Sequence, residues 1–198
     1  MTYSSLKLAC GTAALFTVAA LPTAHAQADG RFVRITNNAP NQFLQLGELE
    51  AYFNGVNQLL AANGGTIESS VAVNGLQHGD IQRVINGFLD NGADVYNANP
   101  APGNSVTTDL GETLSIDNIR VGQRGDGCCQ DRLSNFTIEL LADDGAGLPG
   151  ASVFSENFPG IVPDSSYQNF VVPEPASAAL IGLVGLGLLA RRRRARTA

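Results

Sequence analysis

The chain has 198 residues, room for one domain of ordinary size together with targeting segments. Six of its 12 basic residues stand at the ends (Lys7, Arg191 to Arg194 and Arg196), so residues 27–172 carry six basic side chains against 17 acidic ones, net −11. A surface of that sign excludes nucleic acid as a partner and makes anionic lipid a poor one.

Met1 to Ala26 has one positive charge, Lys7, then the apolar stretch LACGTAALFTVAAL, then Pro22 and the small-residue triplet Ala24-His25-Ala26. That is the pattern of a secretory signal peptide cut by signal peptidase before Gln27. Cys10 leaves with it, and Cys128 and Cys129 are then the cysteines of a chain in an oxidising compartment.

Short strands follow. Arg31 to Ile35 and Leu44 to Tyr52 flank the polar turn TNNAPNQF. Gln77 to Leu89 has room for a helical turn, limited by Gly79 and Gly87. Ile116 to Val121, Asn135 to Leu141, Ala151 to Phe158 and Tyr167 to Val172 are separated by Gly- and Asp-rich connections. Phe136, Ile138 and Leu140 alternate with Asn135, Thr137 and Glu139, the pattern of a strand with one wet face. Many short strands with turn chemistry between them and no long helix predict an all-β fold, an antiparallel β-sandwich over residues 27–172.

The stretch QRGDGCCQDRLSNF, Gln123 to Phe136, holds the densest chemistry. Cysteines with no gap between them cannot form a zinc knuckle, which needs C-x₂₋₄-C spacing to bring two thiolates to one tetrahedral ion. Arg124 and Arg132 can each offer forked N–H donors to hydroxyl and ring oxygens, and Asp126 can hold one guanidinium in place. Two readings stay open from the residues: a sugar site, or a turn braced by an Arg–Asp pair. His78-Gly79-Asp80 comes without a nucleophile motif, metal triad or phosphate loop, and no carboxylate spacing marks a catalytic pair, so no enzyme is expected.

The C-terminus reads VPEPASAALIGLVGLGLLARRRRARTA. Its apolar segment, residues 176–190, makes a short hydrophobic helix of about 22 Å, less than the roughly 30 Å hydrocarbon core. Arg191, Arg192, Arg193 and Arg194 place its end in the cytoplasm. The order of Pro-Glu-Pro, apolar run and arginine cluster closely resembles the PEP-CTERM tail of Gram-negative bacteria that make extracellular polysaccharide. That resemblance implies recognition by an exosortase, cleavage near Pro173, Glu174 and Pro175, a transient stop in the inner membrane, and delivery of the domain to the cell surface or extracellular matrix. Residues 173–198 form the sorting signal on this reading.

RFVRI, LQLGELEAY, INGFLDNG and DLGETLSIDNIRVGQRGDGCCQDRLSNFTIELLADDG together resemble the galactose-binding-like sandwich, a jelly roll, of the discoidin and F-type lectin group. The R-x-D-C-C-x-x-R-L motif of those lectins is similar to Arg124-Gly-Asp126-Gly-Cys128-Cys129-Gln-Asp-Arg132-Leu133, with Gly127 inserted. The resemblance implies a disulfide between Cys128 and Cys129, and carbohydrate binding by Arg124, Asp126, Cys128, Cys129 and Arg132. Such a bond closes a small rigid ring with a flat apolar face, which suits the C–H side of a sugar, and rigidity lowers the ordering cost of binding. It also implies a calcium loop, where Glu48, Asn86 and Asp90 supply the candidate oxygens. The chain departs from the pattern in having no tryptophan, in Asn97 and Asn99 near the lectins' histidine, and in Phe88 at a ligand position. The function expected is a non-catalytic carbohydrate-binding module with a glycan or exopolysaccharide partner; the alternative is a structural surface or matrix protein with the same sandwich and no working pocket.

Overall fold

RFVRI lies inside a longer strand, β1 (Ala28–Asn37), whose alternate side chains Val33 and Ile35 are fully buried. In the computed structural model, which describes residues 27–60, 64–69, 81–89, 95–98 and 100–173, β1 is the middle strand of a five-stranded antiparallel sheet. Its neighbours are β7 (Ser105–Ile116) on one side and β9 (Ser134–Asp143) on the other. β5 (Thr66–Ser69) extends the sheet beyond β7, and β10 (Pro149–Ile161) beyond β9. A second antiparallel sheet has the order β11 (Tyr167–Val171), β8 (Asn118–Gly122), β3 (Glu48–Phe53) and β4 (Val56–Asn57). β2 (Gln45–Leu46) and β6 (Tyr96–Asn97) form a separate pair.

The two sheets pack as a sandwich because each presents one apolar row to the other. Val106 and Leu110 of β7 and Phe136, Ile138 and Leu140 of β9 join Leu49 and Ala51 of β3, Ile119 and Val121 of β8 and Phe170 of β11 in one buried cluster. Thr108 belongs to the inward row of β7 as well, and its hydroxyl donates to the Val33 carbonyl at 3.0 Å, which is how a polar side chain with no exposure is accommodated there.

Two expected strands are divided. Leu44 to Tyr52 breaks at Gly47, whose N–H donates to the Gly122 carbonyl at 2.9 Å, and only the part after it enters the four-stranded sheet. Ile116 to Val121 breaks at Asp117: Ile116 ends β7 in one sheet and Asn118 begins β8 in the other. Asp117 is the corner, donating from its N–H to the Tyr52 carbonyl and accepting at its carbonyl from the Val172 N–H at 3.0 Å. The helical turn within Gln77 to Leu89 is a short 3-10 turn at Ile81–Ile85, with residues 77–80 outside the described part. The expected signal peptide, the apolar run with its arginines, Glu174, Pro175, Asp90, Asn99 and His78 also lie outside the described residues.

The registers give the sandwich two distinct poles. Ala28 faces Ile116 across β1 and β7, and Val171 faces Asn118 across β11 and β8, so the start of β1 and the end of β11 share the pole at Asp117. β8 then runs from Asn118 to Gly122 and delivers the chain to the opposite pole, about 16 Å away for five extended residues.

On the outer face of the larger sheet Arg31 ties three strands together. It reaches Asp109 of β7 with a two-point fork, at 2.8 and 2.9 Å, and Asp143 of β9 at 2.6 Å. Burial opposes the charge on Asp109, but the hydrogen bonds from Arg31 and the Gly111 N–H outweigh it and hold its carboxyl below the usual range. The same guanidinium lowers Asp143, helped by the N–H groups of Gly145 and Gly147. A carboxylate whose folded pKa is depressed contributes stability that is complete above its unfolded value near 4 and is lost as pH falls through the folded value. Thermal melting is therefore expected to be flat from pH 7 to about 5 and to drop below about pH 4, with Asp109→Asn flattening the drop. Glu50 works the other way, because burial raises its pKa and the charge it carries at neutral pH is relieved in acid. A melting temperature that rises from pH 5 to pH 3 would contradict the dominance of the paired aspartates.

Candidate functional site

The loop from Gln123 to Leu133 fills the pole that β8 runs towards. Gln123 is fully buried and organises the entry: its side-chain amide donates to the Gln130 carbonyl at 3.1 Å, and its side-chain oxygen accepts from the Arg124 N–H at 3.1 Å. Arg124 points inward, with 4% exposure. Its Nε donates to Asp126 Oδ1 at 2.6 Å and a terminal nitrogen donates to Asp126 Oδ2. Those bonds hold the Asp126 carboxyl below the usual range, and the Cys128 N–H adds a third donor at 3.1 Å. Gly127 and Cys129 both take left-handed backbone, with φ of 72° and 60°, which lets the chain reverse around the pair. Gly47 must be a glycine for the same loop, since a Cβ there would stand 2.9 Å from the Arg124 backbone nitrogen.

This geometry divides the sequence-predicted residues into two groups. Arg124 and Asp126 are turned on each other and brace the loop, so Arg124 does not offer its fork outward as the sequence suggested; a guanidinium this buried is stable only beside its carboxylate. Cys128 and Cys129 are joined by a disulfide, with Cα atoms 3.8 Å apart, and Cys128 is exposed. Arg132 sits over the Phe43 ring, its guanidinium carbon 4.2 Å from the ring centre, and has no carboxylate partner among the described residues. Next to it Gln42 donates to Asp131 at 3.2 Å. Phe43 and Gln42 come from the turn before β2 and were missed because their position beside Arg132 depends on the pairing of distant segments.

The candidate calcium ligands do not form a cation-ready cluster among the described residues. Glu48 is buried and its Oε1 accepts from the Gly87 N–H at 2.9 Å, while Asn86 Oδ1 accepts from the Phe88 N–H at 2.8 Å. Both side chains thus cap the turn at 86–88, and Phe88 is 72% exposed beside it. Calcium takes six to eight oxygens. No group of three His, Cys, Asp or Glu side chains suited to a metal occurs among the described residues.

At the other pole Val171 closes β11 against Asn118, Val172 is fully buried, and Pro173 emerges exposed. Residues 171–194 match the model of the PEP-CTERM protein-sorting motif. The chain carries an exosortase sorting signal. It is accordingly an exported, exosortase-sorted surface protein of the kind typical of Gram-negative bacteria. No curated protein and no solved structure matches the chain. The PEP-CTERM motif begins inside the last strand of the sandwich, so the Cys128–Cys129 loop lies at the pole away from the sorting signal.

Proposed function

We propose that this exported sandwich is a non-catalytic glycan-binding module of the galactose-binding-like kind, acting at the cell surface or in the extracellular polysaccharide matrix. One observation carries the reading: the pole opposite the sorting signal presents a rigid exposed disulfide beside an arginine whose N–H donors are open. The disulfide supplies a flat apolar face for the C–H side of a sugar ring. Arg132, immobilised on Phe43, supplies hydroxyl-directed donors at low ordering cost. Arg124 and Asp126 act as positioning residues that hold the ring in place.

The test is a glycan array with the purified exported protein, followed by Arg132→Ala and Cys128→Ser/Cys129→Ser. Selective binding that falls by about tenfold or more in Arg132→Ala, the loss of one charged hydrogen-bonding group, supports the module. The melting temperature should hardly move in the cysteine variant, because a bond between neighbours closes almost no chain and constrains the unfolded state little. A silent array overturns the reading. The burial of Arg124 favours a second reading, a purely structural loop; it predicts that Arg124→Ala lowers the melting temperature while no glycan binds at all.

A further inference from the structure

The outer face of the five-stranded sheet carries a second set of ligand-binding groups. Register aligns Glu139, Arg34, Thr107 and Glu68 in one row across β9, β1, β7 and β5. The next row holds Leu141, Phe32, Asp109 and Thr66. Between the β5 edge and the turn at Gly147 to Pro149 this face is hollowed into a groove of about 330 Å³, lined by Phe32, Arg34, Thr66, Glu68, Thr107 and Leu148 among others.

Two charged side chains of the groove, Arg34 and Glu68, are open, whereas three other arginines are closed by carboxylates. Arg31 is held by two aspartates, Arg120 by Glu50 at 3.0 Å and Arg124 by Asp126. Arg34 is half-buried, donates only from Nε to the Thr107 hydroxyl at 3.3 Å, and has no ion-pair partner among the described residues. Glu68, on the far side of Thr107, has no hydrogen-bond partner among them either. The groove therefore presents open donors, an open acceptor and threonine hydroxyls side by side, with Leu148 exposed at the rim. That mixture matches a ligand offering hydroxyls and a C–H surface.

We propose that this groove binds an uncharged, hydroxyl-rich ligand, a neutral glycan chain, with Arg34 donating to its oxygens, Glu68 accepting from its hydroxyls and Leu148 covering a ring face. Charge selects against an acidic polymer: the row has two glutamates to one arginine, and the domain around it is net −11. The site is independent of the Cys128–Cys129 loop, since Pro149 and Asp143 place the groove's rim near the sorting pole.

Amide chemical shifts of the ¹⁵N-labelled exported protein, titrated with cellohexaose, with laminarihexaose and with a galacturonic acid oligomer, test this. The expected result is movement of the amides of Arg34, Ile67, Glu68 and Thr107 with a neutral oligosaccharide and a smaller response to the acidic one. Arg34→Ala and Glu68→Gln should each weaken that binding at least fivefold with the melting temperature unchanged, while Arg132→Ala leaves it intact. Shifts confined to residues 124–132 sink the groove and leave the loop reading standing. Shifts in the groove alone do the reverse. No response to either neutral oligosaccharide, or a stronger response to the acidic one, overturns the proposal.

Discussion

Replacing Arg191, Arg192, Arg193 and Arg194 with neutral residues is expected to leave the full-length chain in the membrane and to stop its release. The apolar run of residues 176–190 would reach about 22 Å as a helix against roughly 30 Å of hydrocarbon, so the arginines are expected to decide which end stays in the cytoplasm. Only with that end anchored does Pro173-Glu174-Pro175 face the compartment where the sandwich has folded. The motif starts at Val171, which is still paired with Asn118, and Val172 is buried, so three residues at most, about 10 Å of extended chain, separate the folded domain from the apolar run. Cleavage near Pro173 to Pro175 is therefore expected to take place with the sandwich close to the membrane surface. Intact-mass measurement of released protein checks this: wild type should end near Pro173 to Pro175, and the variant should stay in the membrane fraction at full length. Released protein that keeps its arginines would refute the processing step.

How much of the fold the sequence disclosed depended on whether a strand's polar half was conventional. β9 was legible because Phe136, Ile138 and Leu140 alternate with plainly polar neighbours. β7 was not, although it is a 12-residue strand next to the centre of the sheet. Its inward row reads Val106, Thr108, Leu110, and the threonine belongs there only because the Val33 carbonyl, 75 residues away in sequence, accepts its hydroxyl. Gly111, at φ 86°, also looks like the end of a strand when it is a local irregularity within one. The strand ending Ile116 and the one beginning Asn118 read as continuous because both are apolar in alternation, and the switch of sheet at Asp117 marks the pattern only by a one-residue slip, with three residues instead of two from Ile116 to Ile119. β10 was placed but shortened, since its solvent-facing edge position allows Pro149, Pro159 and Gly160 where a central strand would not.

The loop was legible in its members and misassigned in its orientation. The spacing of Arg124, Asp126, Cys128, Cys129 and Arg132 is local, so the sequence could gather them. Which arginine turns inward is set by Gly47, Gln123 and the Ser165 N–H that donates to the Arg124 carbonyl at 3.2 Å, none of them readable as neighbours in advance. The groove at Arg34 was invisible for the same reason: its groups come from β1, β5 and β7 and from the turn before β10, and only register puts them side by side.

Phe136→Ala is expected to cost about 3 to 5 kcal/mol and to lower the melting temperature by roughly 10 to 20 °C. Phe136 has no exposed surface and its ring sits 5.2 Å from that of Phe158 on β10 and 6.0 Å from that of Phe170 on β11. β10 and β11 belong to different sheets, and their rings also meet each other edge to face at 6.2 Å. Truncating the shared ring thus removes apolar burial, opens a cavity that two large neighbours cannot fill, and breaks two of the trio's three ring contacts, of which the one to Phe170 crosses between the sheets. Phe158 is only partly buried, so its replacement leaves a gap that solvent and the edge strand can close, and Phe158→Ala should cost clearly less. Because the trio lies in the core and the ligand-facing groups do not, both variants should keep glycan affinity per folded molecule while losing stability. Equal losses for Phe136→Ala and Phe158→Ala, or a drop below about 1 kcal/mol for Phe136→Ala, would show that the two sheets are not joined through this ring.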